Sequence, residues 1–507
     1  MSKLTLDIVY QYIFEGRKFE VDEETHKNVE KSFSFLDSFS KDKIIYGINT
    51  GFGPMAQFRI EPDELEQLQY NLIRSHSSGT GKALDTPYAK SVVLARLNNF
   101  LQGNSGISAG VIDQLQLFLN EDIIPEIYEH GSVGASGDLV QLSHLALNLI
   151  GEGHVYENGQ RKNAADILEK HNIKPLELNL RDGLGLINGT SCMTGIASLN
   201  LIYAKRLVTH AITASAILNE IVESFDDSFS KELNEVKLHR GQNYIATKMR
   251  EYLSDSRLIR KRDELFKDDA EIQRVEFKKK IQEYYSIRCV PQILGPIVDT
   301  LDYAKVVVEN ELNSTNDNPI VNVEVENVFH GGNFHGDYIS LEMDKIKIAL
   351  TKLSMLMERQ LNFLLNHNLN NVFPPFLNAG KLGFNFGFQG IQYTATSTTA
   401  ENQALSNSMY VHSIPNNNDN QDIVSMGTNS ALMAKQVLEN SFQVMSVHLM
   451  AICQGIDLLD DEAKEKLSSK TKKVHQDIRK MAKYVEDDTP QSEAIGRVTE
   501  YIKENNF

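Results

Sequence analysis

A mainly α-helical fold, built around a long helix bundle with a smaller N-terminal part of short helices and glycine-rich loops, is what the sequence predicts. Three observations carry that prediction. Proline is scarce, 12 in 507 residues, so few positions force a helix to stop. Residues 195–225, 337–366 and 427–459 keep apolar side chains at three- and four-residue spacing throughout, the signature of long helices with one buried face. Nowhere do short apolar runs alternate with helical segments as a parallel sheet requires.

The shorter elements follow in order. "PDELEQLQYNLIRSH" (Pro62 to His76) reads as a helix with acidic residues in its first turn, where they complement the helix dipole. The next helix is bounded by Thr86 as N-cap, Pro87 in the first turn and Gly103 beyond its end. "KIIYGI" (Lys43 to Ile48) and "NPIVNVEVENVFHGG" (Asn318 to Gly332) read as minor strands or loops, and the mixed-charge stretch Arg250 to Lys280 as a solvated helix pair. Element length divides the chain into an N-terminal domain, residues 1–190, and a long-helix bundle domain with a C-terminal helical tail, residues 191–507.

Composition narrows the function. With 68 acidic and 51 basic residues the net charge is −17, which argues against nucleic acid as a partner. Cys192, Cys289 and Cys453 form neither a CxxC nor a metal-type cluster, so neither a disulfide scaffold nor a metal is expected. The N-terminal stretch lacks a basic-then-apolar leader, and no uncharged apolar run reaches the roughly 20 residues that span a bilayer. A cytoplasmic protein with no membrane contact is expected.

The most unusual stretch is "GSVGASGDLVQLSHLAL", Gly131 to Leu147, in which Ala135-Ser136-Gly137 stands just before an apolar helix. Three explanations compete: a turn, a phosphate cradle, or chemistry on the backbone. A cradle would place glycines and a lysine at other spacings, and Asp138 would repel phosphate. Backbone chemistry fits the residue types. Attack of the Gly137 nitrogen on the Ala135 carbonyl carbon closes a five-membered ring; glycine permits that approach and alanine does not obstruct it. Loss of water, the Ser136 hydroxyl included, then leaves a methylidene on a conjugated imidazolone. No ordinary side chain offers such an electrophile.

Polar or glycine-rich loops recur along the chain: "YGINTGFGPMAQ" (from Tyr46), "SHSSGTG" (from Ser75), "LINGTS" (from Leu186), "YYSIRCVPQ" (from Tyr284), "NSTNDNP" (from Asn313), "HGGNFHG" (from His330) and "IPNNNDNQD" (from Ile414). Each alone reads as a turn; together they suggest one composite site. In this order, and with the Gly131–Leu147 segment, they closely resemble the aromatic amino acid ammonia-lyases, the family of histidine, phenylalanine and tyrosine ammonia-lyases, and within it the flavobacterial-type tyrosine lyases. The serine-rich "GSSxMPxKxN" loop of fumarase and aspartase themselves is absent.

The resemblance implies an ammonia-lyase fold of fumarase/aspartase-like architecture and a homotetramer whose active sites are shared between subunits. It implies a 4-methylideneimidazole-5-one prosthetic group formed from Ala135, Ser136 and Gly137, with no metal or external cofactor. The reaction implied is elimination of ammonia from an amino acid, leaving an α,β-unsaturated acid; a related aminomutase would instead move the amine to the β-carbon. By the same resemblance Asn188 holds the ring carbonyl, Arg288 grips the substrate carboxylate with its planar fork, Tyr46 removes the β-proton, and Tyr285 is a second essential tyrosine. Gln282, Asn318 and Phe334 position the substrate. His76 occupies the ring-end selectivity position, where phenylalanine lyases resemble one another in having Phe. Gln421 stands where histidine lyases have Glu. Both point to L-tyrosine, although Ser77 after the selectivity histidine is more like a histidine lyase. Histidine is therefore the alternative substrate.

Overall fold

The computed structural model describes residues 3–267, 274–277 and 280–507. It is mainly helical. The helices that matter for the site are α1 (Leu65–His76), α2 (Thr86–Phe100), α3 (Leu139–Leu149), α4 (Asp182–Ile187), α5 (Ser191–Ile221), α6 (Val290–Leu312), α7 (Asp337–Leu365) and α8 (Gly427–Leu458). The three long periodic stretches correspond to α5, α7 and α8. Strands are short and antiparallel; Ile320–Asn322 pairs with Asn327–Phe329 as a hairpin. Among the described residues no helix is long and apolar enough to cross a membrane.

Two compact units share the chain. Unit 1 comprises Met1–Ile202, Ala304–Asp344 and Ser408–Lys435; unit 2 comprises Tyr203–Tyr303, Lys345–Asn407 and Gln436–Phe507. The expected division at residue 190 follows a change in helix length, whereas these units follow packing. Within unit 1, α5 and α8 are tied by Asn200 Nδ2 donating to the Ala431 carbonyl at 2.8 Å. Ser430 of α8 donates to the Ser340 carbonyl and to Asp344 Oδ1 of α7, each at 2.8 Å. Within unit 2, Gln360 Nε2 of α7 donates to Ser215 Oγ of α5 at 3.0 Å. Such bonds satisfy polar side chains buried between apolar faces.

One local expectation changes and two are refined. The N-cap of α2 is Asp85, not Thr86, and it makes no side-chain cap bond; its carboxylate is held by Lys435 Nζ at 2.8 Å instead, and Pro87, with its fixed φ, lets the helix begin at Thr86. Of the two forms expected for "KIIYGI", strand or loop, the structure has the loop: Ile45 and Ile48 pack with Leu36, Val321 and Val328 in a small core cluster. Of the stretch Arg250 to Lys280, the end of the helix Arg240–Tyr252 and the helical turn Arg262–Phe266 are seen; residues 268–273 and 278–279 lie outside the described residues.

Unit 2 also buries two histidines. His448 in α8 is wholly enclosed, with no hydrogen-bond partner among the described residues at either ring nitrogen, and burial lowers its pKa to about 3. His210 in α5, bonded to the Ile502 carbonyl at 2.9 Å, is lowered to about 4, again by burial. Both are neutral when folded and take up protons on unfolding, because the unfolded pKa is about 6.5. Their contribution to stability is complete above pH 6.5 and is lost as pH falls toward 4 and then 3, at up to about 1.4 kcal/mol per pH unit for each group. Denaturant unfolding at pH 7.5 and pH 5 should show the loss, and His448→Leu should flatten that slope by one proton's worth. An unchanged slope would refute the assignment.

Candidate active site

Glycines shape the loop before α3. Gly134 and Gly137 adopt φ of +68° and +74°, and a Cβ on Gly137 would lie 2.0 Å from the Gly189 carbonyl oxygen. Only glycine lets these two chain segments meet. They pair as a parallel bridge, with Asp138 N–H donating to the Gly189 carbonyl at 2.8 Å and Gly189 N–H to the Ser136 carbonyl at 3.4 Å. Asp138 anchors the loop from beneath. Its carboxylate, fully buried, accepts from Ser132 Oγ at 2.7 Å, Thr428 Oγ1 at 2.6 Å and Met193 N–H at 2.8 Å. Burial raises its pKa, and those three donors oppose the shift.

The Ser136 carbonyl oxygen is the focus of the site. Besides Gly189 N–H it receives Asn188 Nδ2 at 2.8 Å. Asn188 sits at the C-terminus of α4, and its own Oδ1 accepts from Asn318 N–H at 2.8 Å, which fixes the direction of the amide. Asn318 is positioned in turn: its Oδ1 accepts from Gly331 N–H at 2.7 Å and its carbonyl from Arg181 Nη2 at 3.0 Å. On the side-chain side, Gln421 Nε2 donates to Ser136 Oγ at 2.8 Å.

A cavity of about 680 Å³ in unit 1 opens onto Ser136 and is lined also by Tyr46, His76, Asn188, Asn318, Phe334 and Gln421. Seven of the expected residues thus share one wall, and Ala135 and Gly137 flank Ser136 in sequence. Tyr46 enters on the loop before a short 3₁₀ turn, where Gly53 N–H donates to its phenolic oxygen at 3.1 Å. His76 ends α1, and its Nδ1 lies 2.9 Å from the Leu72 carbonyl. Ser75 Oγ lies 3.1 Å from the same nitrogen; the carbonyl can only accept, so it is satisfied by the tautomer with its proton on Nδ1.

Arg288, Gln282 and Tyr285 belong to unit 2. Arg288 and Gln282 line a second cavity there, of about 500 Å³. Arg288 Nη1 donates to Gln282 Oε1, and its guanidinium lies 4.9 Å from the Tyr285 ring centroid. Tyr285 is 69% exposed.

Several residues of unit 1 escaped the sequence reading. Asn417 and Asn420 line the cavity; their loop is one of those expected at the composite site, but the sequence assigns neither side chain a role there. Arg96 donates from Nη1 to the Asn188 carbonyl at 2.8 Å. Its signal was an arginine at an apolar position, inside "SVVLARLNNF".

These features suit a group built from the tripeptide. The closeness of Gly137 to Gly189 excludes a Cβ where a ring nitrogen would lie, and two donors wait on the oxygen that would become the ring carbonyl. Among the described residues no cluster of His, Cys, Asp and Glu could hold a metal ion.

Known proteins bear on the same point. The family model described as aromatic amino acid lyase matches residues 4–480. Histidine ammonia-lyase 1 of Fusobacterium nucleatum is 38% identical over 508 residues, covering 100% of this chain and 95% of that one. Tyrosine ammonia-lyase of Cupriavidus metallidurans is 40% identical over 423 residues, covering 82% and 79%. The crystal structure of a tyrosine aminomutase from Streptomyces globisporus superposes with a TM-score of 0.95 at 36% identity, covering 99% and 96%. The chain belongs to the aromatic amino acid lyase family.

Proposed function

We propose that this protein deaminates L-tyrosine without oxidation, to trans-p-coumarate and ammonia, using a 4-methylideneimidazole-5-one formed from Ala135, Ser136 and Gly137. When present, that group supplies an electrophilic carbon that no side chain offers. Asn188 Nδ2 and Gly189 N–H hold its carbonyl oxygen and favour negative charge there. Tyr46 takes the β-proton. Arg288 binds the substrate carboxylate, with Gln282 and Tyr285 beside it, and we propose that these three come to the cavity from neighbouring copies in a homotetramer. The protein works in the cytoplasm.

The observation that carries the choice of substrate is the place of His76 on the cavity wall, with its Nδ1 2.9 Å from the Leu72 carbonyl. In this reading Nδ1 donates to Leu72 and Nε2 accepts from the hydroxyl of a phenol. Gln421 adds a neutral amide where a cationic imidazole would be better matched by a carboxylate. His76→Phe removes the acceptor and buries the tyrosine hydroxyl unpaired, at a cost of about 1–3 kcal/mol, while offering phenylalanine an apolar contact. The ratio of kcat/KM for tyrosine over phenylalanine should fall at least about tenfold, the equivalent of 1.4 kcal/mol. An unchanged ratio would overturn the role of His76.

A second reading, histidine as substrate, is favoured by Ser77 and by the similarity to a histidine ammonia-lyase; an aminomutase is favoured by the likeness to the tyrosine aminomutase. Incubation with tyrosine, histidine and phenylalanine, with the unsaturated acids followed by absorbance and β-amino acids by chromatography, separates these. A preference for histidine, or β-tyrosine as main product, would displace the first reading.

A further inference from the structure

Arg96 lies inside α2, with none of its surface exposed. Its Nη1 bond to the Asn188 carbonyl is charge-assisted; among the described residues Nε and Nη2 meet no hydrogen-bond partner, and the guanidinium stacks 4.4 Å from the Phe100 ring centroid. Burial lowers its pKa to about 10, with Asp317 and Asp138 opposing the shift and Arg181 adding to it. It is therefore a cation at neutral pH. A buried charge with so few partners is costly to keep, and stability alone does not account for it.

The acceptor it has chosen is informative. The Asn188 carbonyl and the Gly189 N–H are the two ends of one peptide group, and that N–H points at the Ser136 carbonyl oxygen. Asn188, whose backbone Arg96 holds, sends its side-chain amide to the same oxygen. A cation pulling on the oxygen of a peptide group polarises its N–H and makes it a stronger donor, an effect that a low local dielectric enlarges. Gly189 makes the approach possible: a Cβ there would lie 2.4 Å from Arg96 Nη1 and 2.5 Å from Asn316 Oδ1.

We propose that Arg96 is a positioning residue for the electrophile, delivering its charge through the Asn188–Gly189 peptide group to the Ser136 carbonyl oxygen. The proposal rests on the reading that Ala135, Ser136 and Gly137 form the prosthetic group. Arg96 touches neither substrate nor the reacting carbon. Its effect is to increase the electron demand of the conjugated system and to hold its plane.

The test compares full-length wild type with Arg96→Lys, which keeps a charge but not the planar fork, and Arg96→Gln, which keeps a neutral donor. Each is read by intact mass, by the near-ultraviolet band of the conjugated ring, and by kcat and KM. Wild type should weigh two water molecules less than its sequence. In the variants that carry the ring, the band should move to shorter wavelength, further in Gln than in Lys, because a weaker donor on the carbonyl widens the transition. The kcat should fall in the same order, by about tenfold or more in Gln, with KM changed less than about threefold, the pattern of an interaction stronger in the transition state. A wild-type band with a wild-type kcat in either variant overturns the proposal, as does equal impairment of both with no movement of the band. Should Arg96→Gln fail to fold, Arg96→Lys decides by band and kcat. A wild type at full sequence mass with no band overturns the underlying reading of the tripeptide as well, and so is told apart from a failure of Arg96 alone.

Discussion

Ser136→Ala is expected to reduce kcat by about 10³-fold or more, the scale on which covalent catalysis is lost when its reactive group is removed. The hydroxyl is required as a leaving group, and alanine has none to lose. Its structural cost is small by comparison. Ser136 Oγ accepts from Gln421 Nε2 at a partly exposed position, but ring formation removes that oxygen from the wild type too, so the mature fold does not depend on the bond. The variant should therefore melt within a few degrees of wild type and keep the same oligomeric state, while its near-ultraviolet band disappears. Circular dichroism, size-exclusion chromatography and a difference spectrum check those parts separately. A folded Ser136→Ala protein retaining a tenth of the activity would remove the prosthetic group from the mechanism.

The second large effect is that of Gly137→Ala, where loss of activity should come together with loss of stability. At φ +74° an alanine is strained, and its Cβ would lie 2.0, 2.3 and 2.6 Å from the oxygen, carbon and nitrogen of Gly189. These are backbone atoms and cannot swing aside. The left-handed conformation costs about 1–2 kcal/mol, and forcing the segments apart about 1–3 kcal/mol more. The same displacement would draw the Ser136 carbonyl away from Asn188 Nδ2 and Gly189 N–H, so the ring should form poorly or not at all. Gly159→Ala is the matched control, since Gly159 has a φ of +73° with nothing within 4 Å of the added Cβ. It bears the conformational strain alone. Equal stability losses in the two variants, with the near-ultraviolet band intact in Gly137→Ala, would show that contact with Gly189 does not matter.

The histidine pair, the His76 substitution and the Arg96 series test separate parts of the molecule. The first concerns burial in unit 2; the others concern the cavity wall and the support beneath it.

What the sequence alone determined is what local physics decides. Three- and four-residue apolar spacing is a property of one helix and needs no partner to be read, so α5, α7 and α8 were legible to within a few residues. Ala-Ser-Gly could be singled out because the ring closure expected of it involves only neighbouring atoms of the chain. The tertiary structure decided whatever depends on residues far apart. Asp85 stands at the N-cap of α2, but its carboxylate meets Lys435 and makes no cap bond, and no feature of the local sequence announces that ion pair. "KIIYGI" reads as a strand or a loop, and the choice is made when two of its three isoleucines, Ile45 and Ile48, enter a core cluster that includes Val321 and Val328, more than 270 positions away. The direction of the Asn188 amide comes from Asn318, 130 residues on; the Leu72 carbonyl that His76 Nδ1 faces comes from the geometry of its own helix end. Arg96 looked like one more polar residue on a helix. Its meaning appears only when α2 is packed against the segment 188–189, because a charge acts through space and a sequence records no distances.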